Sequence, residues 1–198
     1  NLGMSTKFDA AGNLKQELTH DPNLEKVILR QINGHLIEGK PMMQLPNYPA
    51  ISEDAVSHFN PDAKIALVTL YTHHITTYAR VSEHNVKRYC DRHGYAYHVY
   101  RGIPESIDPS IAGSWLKPYV LQKHFAGHEW IIWVDADVLF RNQMQKLEPL
   151  LQSRDLLFAK DLCAWPMNSG IMGFRNTPEN IELVSQLWQR IIDVKDKS

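Results

Sequence analysis

Short runs of apolar residues alternate along this chain with longer segments in which apolar residues recur every three or four positions. The short runs are typical of buried strands and predict strands at 64–71, 95–100, 129–134, 156–159 and 170–174. The longer segments predict helices at about 76–93, 115–125, 147–151 and 177–192. This alternation predicts an α/β domain with a mainly parallel sheet flanked by helices.

Several residues are predicted to mark the ends of these helices. Thr76 or Thr77 is expected to cap the start of the first helix, and Gly94 is expected to end it in the left-handed conformation. Ser114 is expected to cap the second helix. Thr177 precedes a proline and a glutamate, which suit a first helical turn, so the last helix is expected to begin there.

The first 60 residues differ in pattern from the rest of the chain. Val27–Ile32 and His35–Glu38 read as two strands, and the Asn33-Gly34 pair between them favours a tight hairpin turn. A proline-rich loop or linker follows, with Pro41, Pro46 and Pro49. We therefore predict an accessory N-terminal segment, residues 1–60, that contains a β-hairpin, and a main domain at residues 61–198.

The composition argues against two classes of partner. The 198 residues include 21 basic and 22 acidic side chains, which gives a formal net charge of −1. A chain so close to neutral offers no basic groove, so no nucleic-acid partner is expected. Its apolar runs are far shorter than the roughly 20 residues of a membrane-spanning helix, so no transmembrane segment is expected within it.

Two aspartates end the most apolar of the predicted strands. Asp135 and Asp137 follow this strand and are separated by Ala136, which is too small to block a ligand. In an extended chain, side chains two positions apart point to the same side, roughly 6–7 Å apart. Open α/β sheets bind ligands at the carboxyl ends of their strands, and carboxylate oxygens suit Mg²⁺ and Mn²⁺. The pair is predicted to hold a divalent cation; the alternative is that both acids simply enter solvent as the strand ends.

Two further segments carry groups suited to a sugar or a diphosphate. Gly170 lets the backbone approach a ligand closely, and Asn168 and Ser169 offer donors and acceptors for hydroxyl groups. Lys117, in the first turns of a predicted helix, is placed to meet a diphosphate. The alternatives are an ordinary glycine-bearing turn into a strand and a surface lysine beside a core tryptophan.

One face of the first helix carries polar groups among aromatic residues. Tyr78, Ser82, Asn85 and Tyr89 recur with helical spacing. This face is predicted to be part of the core rather than a binding site. Ser82 and Asn85 are expected to form buried hydrogen bonds to neighbouring backbone, because polar groups inside a protein need partners.

Taken in order, these motifs resemble a known family of glycosyltransferases. The set comprises the strand at 65–71, the helix face at 78–89 with His93-Gly94-Tyr95, Ser114–Lys117, Trp133–Asp137, Asn168–Gly170 and Phe174–Thr177. It resembles the family that contains the fungal Golgi α-galactosyl and α-mannosyl transferases and the plant xyloglucan α-xylosyltransferases. The resemblance covers roughly residues 62 to 190.

The resemblance implies a GT-A fold, which is Rossmann-like, a nucleotide-sugar donor and transfer with retention of anomeric configuration. A UDP-sugar is favoured as the donor, a GDP-sugar is the second choice, and the acceptor is a carbohydrate or another hydroxyl compound. Mn²⁺, or Mg²⁺ in its place, would be held by Asp135 and Asp137. A location in the cytoplasm is favoured, with the Golgi lumen expected if an upstream anchor has been removed.

The resemblance also assigns residues to the donor site. Donor-binding positions are Thr69, Leu70 and Tyr71 beside the nucleotide base, and Lys117, Asp135, Ala136, Asn168, Ser169 and Gly170. Asp161 and Asn168 are the expected catalytic positions. Members of the family continue past the last helix to a histidine that also binds the metal, whereas no histidine follows His128 here, so the C-terminal end is suspected to be truncated.

The sequence therefore predicts a metal-dependent retaining glycosyltransferase. Two other functions stay open at this point. Asp135-Ala136-Asp137 also mimics the strand-ending motif of phosphatases with an aspartyl nucleophile, although only 61 residues follow Asp137 and no further acidic pair is evident among them. A non-catalytic binding module that keeps the same fold is the second alternative.

Overall fold

The computed structural model describes residues 4–8, 14–18, 52, 55–108, 111–161 and 167–195. The chain divides into two compact units, residues 1–46 and 47–198. In the first unit, β1 (Met4–Phe8) and β2 (Leu14–Leu18) pair in antiparallel fashion, with Met4 opposite Leu18. The hairpin predicted at 27–38 lies outside the described residues, and the division at residue 60 stays a prediction.

The second unit contains the predicted alternation of strands and helices. Its described strands are β3 (Ser57–Phe59), β4 (Ile65–Leu70), β5 (Ala96–Tyr100), β6 (Trp130–Val134), β7 (Leu156–Ala159) and β8 (Asn168–Arg175). Its described helices are α1 (Thr76–His93), α2 (Lys117–His124), α3 (Glu148–Leu151) and α4 (Pro178–Lys195). The elements predicted for residues 61–198 are confirmed to within a few residues, and β3 is an addition because three residues are too few to show a pattern.

The six strands described in this unit form one sheet in the order β3-β5-β4-β6-β8-β7. β4 lies at the centre and runs parallel to both β5 and β6. β3, on one side, and β8 pair with their neighbours in antiparallel fashion, and β7 pairs with β8 in the same way. The α/β class and the parallel centre of the sheet are confirmed, while the antiparallel pairs at both sides were not predicted.

Both faces of the sheet are covered by helices. β4 and β6 are buried along their whole length. On one face, Val68, Leu70, Ile131 and Trp133 pack with residues of α2 and α4, while on the other face Leu67, Ile132 and Val134 pack with residues of α1 and α3. Each of these side chains contributes roughly 1.5–3 kcal/mol when it is fully removed from water. The sheet edge at Val134 is therefore the first place where β6 can present polar groups.

Two of the predicted helix ends are confirmed and two are wrong. Gly94 ends α1 with a φ of 71°, and the Thr177 Oγ1 accepts a hydrogen bond of 3.3 Å from the Asn180 N–H. Thr76 and Thr77 lie inside α1, because a preceding 3-10 turn already engages the backbone of Ile75 with Thr72. Ser114 also lies in a 3-10 turn, and α2 begins only at Lys117.

Amphipathic packing accounts for the long helices. α1 buries Ala79, Val86 and Tyr89 and exposes its opposite face, and α4 buries Val184. The Tyr119 ring of α2 lies 5.3 Å from the Trp188 ring of α4. In the parts of the chain that the structure describes, no helix combines the length and apolar character needed to cross a membrane.

Two glycines allow the left-handed helix end to be tested. A Cβ added at Gly94 or at Gly127 would meet no atom within 4 Å, but only Gly94 has a positive φ. We expect Gly94→Ala to lower the free energy of unfolding by about 1 kcal/mol, because a side chain is strained in this conformation. Gly127→Ala is the matched control and is expected to be close to neutral. Equal stability of the two variants in urea unfolding would contradict this account of the helix end.

Candidate functional site

The predicted acid pair lies where β6 leaves the core. The strand ends at Val134, and the Asp135 N–H donates a hydrogen bond of 2.8 Å to the Gly170 carbonyl of the neighbouring β8. The Val138 N–H then donates to the Asp135 carbonyl at 3.1 Å, so the chain turns at once. The extended geometry expected for the two aspartates is therefore wrong. Asp135 is partly buried beside the sheet, and Asp137 projects from the turn into solvent.

One carboxylate oxygen of Asp135 is contacted by two donor groups. Its Oδ1 accepts a hydrogen bond of 2.6 Å from the Trp133 indole nitrogen and lies 2.7 Å from the Lys117 Nζ. The same Lys117 Nζ donates to the Ser169 carbonyl at 3.0 Å and lies 5.5 Å from the centre of the Trp133 ring. Only 11% of the Lys117 side chain is exposed, against 33% for Asp135. An ammonium group so far removed from water needs the negative charge of Asp135.

The predicted Asn168–Gly170 segment joins the same group. Gly170 donates its N–H to the Asn168 Oδ1 at 2.7 Å, and the Asn168 Nδ2 donates to the Asp161 Oδ2 at 3.1 Å. A Cβ added at Gly170 would lie 2.8 Å from the Asn168 Oδ1 and 3.4 Å from the Asp135 Oδ2. Any larger residue at position 170 would therefore require the Asn168 amide to move out of its present position.

The polar face of α1 holds the segment that follows the acid pair. Ser82 Oγ donates to the Val138 carbonyl at 2.7 Å, and Asn85 Oδ1 accepts from the Phe140 N–H at 2.7 Å. Tyr89 donates to the Gln145 carbonyl at 2.5 Å, and its ring stacks on that of Phe140 with centres 4.0 Å apart. The predicted hydrogen bonds from Ser82 and Asn85 to backbone are confirmed. Tyr78 was wrongly placed in the core, since 51% of it is exposed.

The end of β4 offers fewer groups to a ligand than expected. Thr69, Leu70 and Tyr71 are all buried, and the Thr69 Oγ1 has no hydrogen-bond partner among the described residues. The Tyr71 hydroxyl donates to the Glu83 Oε2 at 2.6 Å, and burial together with this hydrogen bond raises the pKa of Tyr71 to about 12. Any contact with a nucleotide would come from backbone atoms or after a rearrangement, and the role of these residues stays a prediction.

Arg101 is a residue near this end of the sheet that sequence reasoning missed. It follows β5, pairs through two nitrogens with the Glu83 carboxylate and donates to the Ser57 Oγ at 2.6 Å. Arg101 and Glu83 thereby tie α1 to the ends of β3 and β5. No sequence motif predicts the ion pair of Arg101 and Glu83, because the two residues are 18 positions apart and belong to different elements.

The acid pair fits a hard cation in part. Asp137 has no hydrogen-bond or ion-pair partner among the described residues, and Asp135 is held at its Oδ1 by Trp133 and Lys117. The remaining carboxylate oxygens are of the kind that Mg²⁺ and Mn²⁺ prefer as ligands. Where the chain is described, no cluster of three close His, Cys, Asp or Glu ligands includes either aspartate. Protein atoms described here therefore supply only part of an octahedral shell, and water or ligand oxygens must supply the rest.

Ala136 separates the two acids in a buried position. Its side chain packs with the core cluster on the α1 face of the sheet, whereas Asp135 lies on the α2 side. The sequence-predicted residues Lys117, Asp135, Asp161 and Asn168–Gly170 are thus brought together. The side chains of Thr69, Tyr71 and Ala136 are not part of that hydrogen-bonded group.

One solved structure with a TM-score above 0.5 shares this fold. A crystal structure of a glycosyltransferase involved in the glycosylation of the major capsid of PBCV-1 is 21% identical, with a TM-score of 0.52 over 64% of this chain and 66% of that one. The apo form of the glycosyltransferase GlyE from Streptococcus pneumoniae TIGR4 is 14% identical, with a TM-score of 0.46 over 68% of this chain and 39% of that one. This chain thus spans just under two thirds of the length of the first structure and well under half of the second.

The sequence comparisons are more specific about the family. A search of curated proteins found no match. The profile of the galactosyl transferase GMA12/MNN10 family matches residues 62–168, which include β4 to β7, α1, α2 and both aspartates. This match agrees with the family resemblance of the motifs and with the predicted GT-A fold. The chain belongs to the galactosyl transferase GMA12/MNN10 family of glycosyltransferases.

Proposed function

We propose that this chain transfers a sugar from a nucleoside-diphosphate sugar to a carbohydrate or other hydroxyl acceptor. One observation carries the proposal. Two acids with uncommitted oxygens, a nearly buried lysine and the Asn168–Gly170 segment meet at the carboxyl end of β6. Ligands of open α/β sheets bind at this end of the strands, and the family assignment supports a sugar donor as the ligand.

The acids are proposed to hold the diphosphate of the donor through a cation. A bound Mn²⁺ or Mg²⁺ supplies positive charge to the diphosphate as it leaves, which is how such ions assist transfer. Asp137 is exposed and uncommitted, so it can bind without breaking a contact. Asp135 offers its Oδ2, while its Oδ1 stays with Trp133 and Lys117.

Lys117 is proposed to stabilise the negative charge of the donor directly. Its ammonium group already sits between the Asp135 carboxylate and the Ser169 carbonyl, and Trp133 shields it from one side. Because it is preorganised by α2 and β8, it can share its charge with a diphosphate oxygen with little rearrangement. This arrangement favours an anionic donor over a neutral sugar.

Asn168 and Asp161 are proposed to orient the donor sugar. The Asn168 amide bridges the Gly170 N–H and the Asp161 carboxylate, which fixes both side chains relative to the acid pair. The polar groups of a sugar need such fixed donors and acceptors, because orientation lowers the barrier to transfer. We propose that configuration is retained, as the family resemblance implies, and that Asp161 is the carboxylate nearest the transfer; front-face and covalent routes stay open. A UDP-sugar is the favoured donor.

Replacing either acid tests the cation site. We expect Asp135→Asn and Asp137→Asn each to weaken UDP binding in the presence of Mn²⁺ by at least tenfold, about 1.4 kcal/mol, because a neutral amide is a poorer ligand for a hard cation. Calorimetry with and without Mn²⁺ measures this directly. Asp62→Asn, at an exposed position before β4, is the control. Mn²⁺-dependent affinity that survives in both variants would remove the cation from the proposal.

The role of Gly170 can be separated from that of the acids. A valine at this position would displace the Asn168 amide, since even a Cβ would lie 2.8 Å from its Oδ1. We expect Gly170→Val to abolish binding of the intact UDP-sugar and to weaken UDP binding much less, because the new Cβ displaces the Asn168 amide but only approaches the Asp135 Oδ2, at 3.4 Å. Loss of both affinities with an unchanged melting temperature would place the diphosphate, rather than the sugar, beside Asn168.

Replacing Lys117 is expected to change the affinities for two ligands in opposite directions. Without nucleotide, its charge competes with a cation for Asp135, so Lys117→Met is expected to strengthen binding of Mn²⁺ alone. The same variant is expected to weaken UDP-sugar binding about tenfold or more, because a contact to the diphosphate is lost. Lys123→Met, on the same helix, is the control. If the affinities for Mn²⁺ alone and for the UDP-sugar changed in the same direction, Lys117 would not both oppose the cation and bind the donor.

A further inference from the structure

Four histidines lie together at the edge of the sheet formed by β3 and β5, on different elements from the acid pair. His58 of β3 stands directly opposite His98 of β5, and their Nδ1 atoms are 2.7 Å apart. His124, the last residue of α2, stacks on the His98 ring with centres 4.0 Å apart. His128 contacts His98 from the other side. His58 is exposed, whereas His98, His124 and His128 are 2%, 9% and 6% exposed.

Hydrogen bonds determine which nitrogen of His98 carries its proton. The His128 Nδ1 lies 2.6 Å from the Ala63 carbonyl and must donate to it, because a carbonyl oxygen can only accept. In the tautomer with its proton on Nδ1, the His128 ring accepts at Nε2, so the His98 Nε2, 2.9 Å away, is the donor. A neutral His98 has one N–H, and its Nδ1 is therefore left with a lone pair that faces His58.

Burial favours the neutral form of His98 and of His124. Removal from water, together with the neighbouring histidines, lowers the pKa of His98 to about 2 and that of His124 to about 3. The His124 Nε2 lies 2.9 Å from the Tyr100 hydroxyl, and its Nδ1 has no hydrogen-bond partner among the residues that the structure describes. In metal-binding histidines, too, one ring nitrogen is fixed by a protein partner and the other faces the metal. The second nitrogen of His98 is 2.7 Å from the His58 Nδ1, so an ion would replace that hydrogen bond.

We propose that His58, His98 and His124 bind a transition-metal ion that favours imidazole nitrogen, with Zn²⁺ as the first choice. One ring nitrogen from each residue lies within 4.8 Å of the others, and in the described part of the chain no other cluster of three His, Cys, Asp or Glu side chains is so close. His128 holds the tautomer of His98 and is a positioning residue. A water molecule would complete a four-coordinate site.

The histidines have to adjust when the ion enters. Two nitrogens that share a tetrahedral Zn²⁺ are about 3.3 Å apart, since each Zn–N bond is about 2.05 Å. The His58 and His98 nitrogens therefore separate slightly, which the exposed His58 ring permits. His124 has to tilt, because its ring is within 7° of parallel to His98 and stacked rings cannot direct their in-plane lone pairs at one ion. His58 and His98 are thus already close to the positions that the ion requires, and His124 becomes a ligand only after its ring tilts.

This site differs in chemistry from the acid pair. Three neutral nitrogens favour Zn²⁺, Cu²⁺ or Ni²⁺, whereas carboxylate oxygens favour Mg²⁺ and Mn²⁺. Its ligands come from β3, β5 and α2, so a bound ion would tie the three-residue edge strand β3 to the body of the domain. The expected consequence is stabilisation of the fold that does not depend on a sugar donor.

A metal titration of the full chain tests the proposal. We expect calorimetry to show one Zn²⁺ bound per chain and a higher melting temperature with Zn²⁺ than with Mg²⁺ at equal concentration. His58→Ala is expected to weaken Zn²⁺ binding at least tenfold and to remove the increase in melting temperature. The position is exposed, so the variant should fold. His84→Ala, at another exposed histidine on α1, is the matched control and should bind Zn²⁺ as wild type does.

Two further variants separate this site from the others. His58→Cys supplies a thiolate ligand and is expected to restore Zn²⁺ binding, which a merely structural role of His58 would not explain. Asp137→Asn is expected to leave Zn²⁺ affinity unchanged, so failure of the proposed sugar transfer and failure of this site are distinguishable. Zn²⁺ binding that is absent, that persists in His58→Ala, or that is lost in Asp137→Asn would overturn the proposal. With Co²⁺, visible absorption typical of four coordination would support it, and an octahedral spectrum would overturn it.

Discussion

A carboxylate at the end of a fully buried strand has to find positive charge, and much of the site follows from that requirement. β6 is apolar along its length, so Asp135 emerges beside the core with only a third of its side chain exposed. The Lys117 ammonium and the Trp133 indole meet its Oδ1. To bring Lys117 there, α2 has to start at the carboxyl end of the sheet, after the 3-10 turn at 113–115. The pairing of Lys117 with Asp135 thus determines both where α2 begins and how the charge of the site is balanced.

The second requirement is that the segment after the acids be held in place. It has no regular structure from Asp135 to Leu147, so its backbone groups need partners from elsewhere. α1 supplies them through Ser82, Asn85 and Tyr89, each of which bonds a main-chain atom of that segment. These residues touch no part of the candidate site, yet they fix the direction in which Asp137 leaves the sheet. They are positioning residues in a glycosyltransferase fold.

The sequence predicts the individual strands and helices of this chain better than it predicts the contacts between them. Strands β4 and β6 and the end of α1 at Gly94 were predictable, because they depend on local sequence alone. A short apolar run favours a buried strand, and a glycine readily adopts the left-handed conformation that ends a helix. The antiparallel β8 was not, since an apolar pattern gives no direction; only the short connection at 160–167 favours a reversal over a parallel crossover. Lys117 and Asp135 were each recognised, but their contact joins two elements. The three proposed ligands of the histidine cluster left no spacing signal, because His98 lies 40 positions after His58 and 26 positions before His124.

The contact between Lys117 and Asp135 also bears on the order in which ligands bind. A cation that approached Asp135 alone would meet a lysine charge only 2.7 Å from the carboxylate oxygen, so bare metal should bind weakly. A diphosphate that arrives with the cation gives the lysine a new partner and supplies oxygens for the incomplete metal shell. In the proposed site, metal and nucleotide would therefore favour each other's binding, and linkage would make that effect reciprocal. In such a site the lysine that neutralises Asp135 in the free protein would become a contact to the donor in the complex, so Lys117 would have a negatively charged partner in both states.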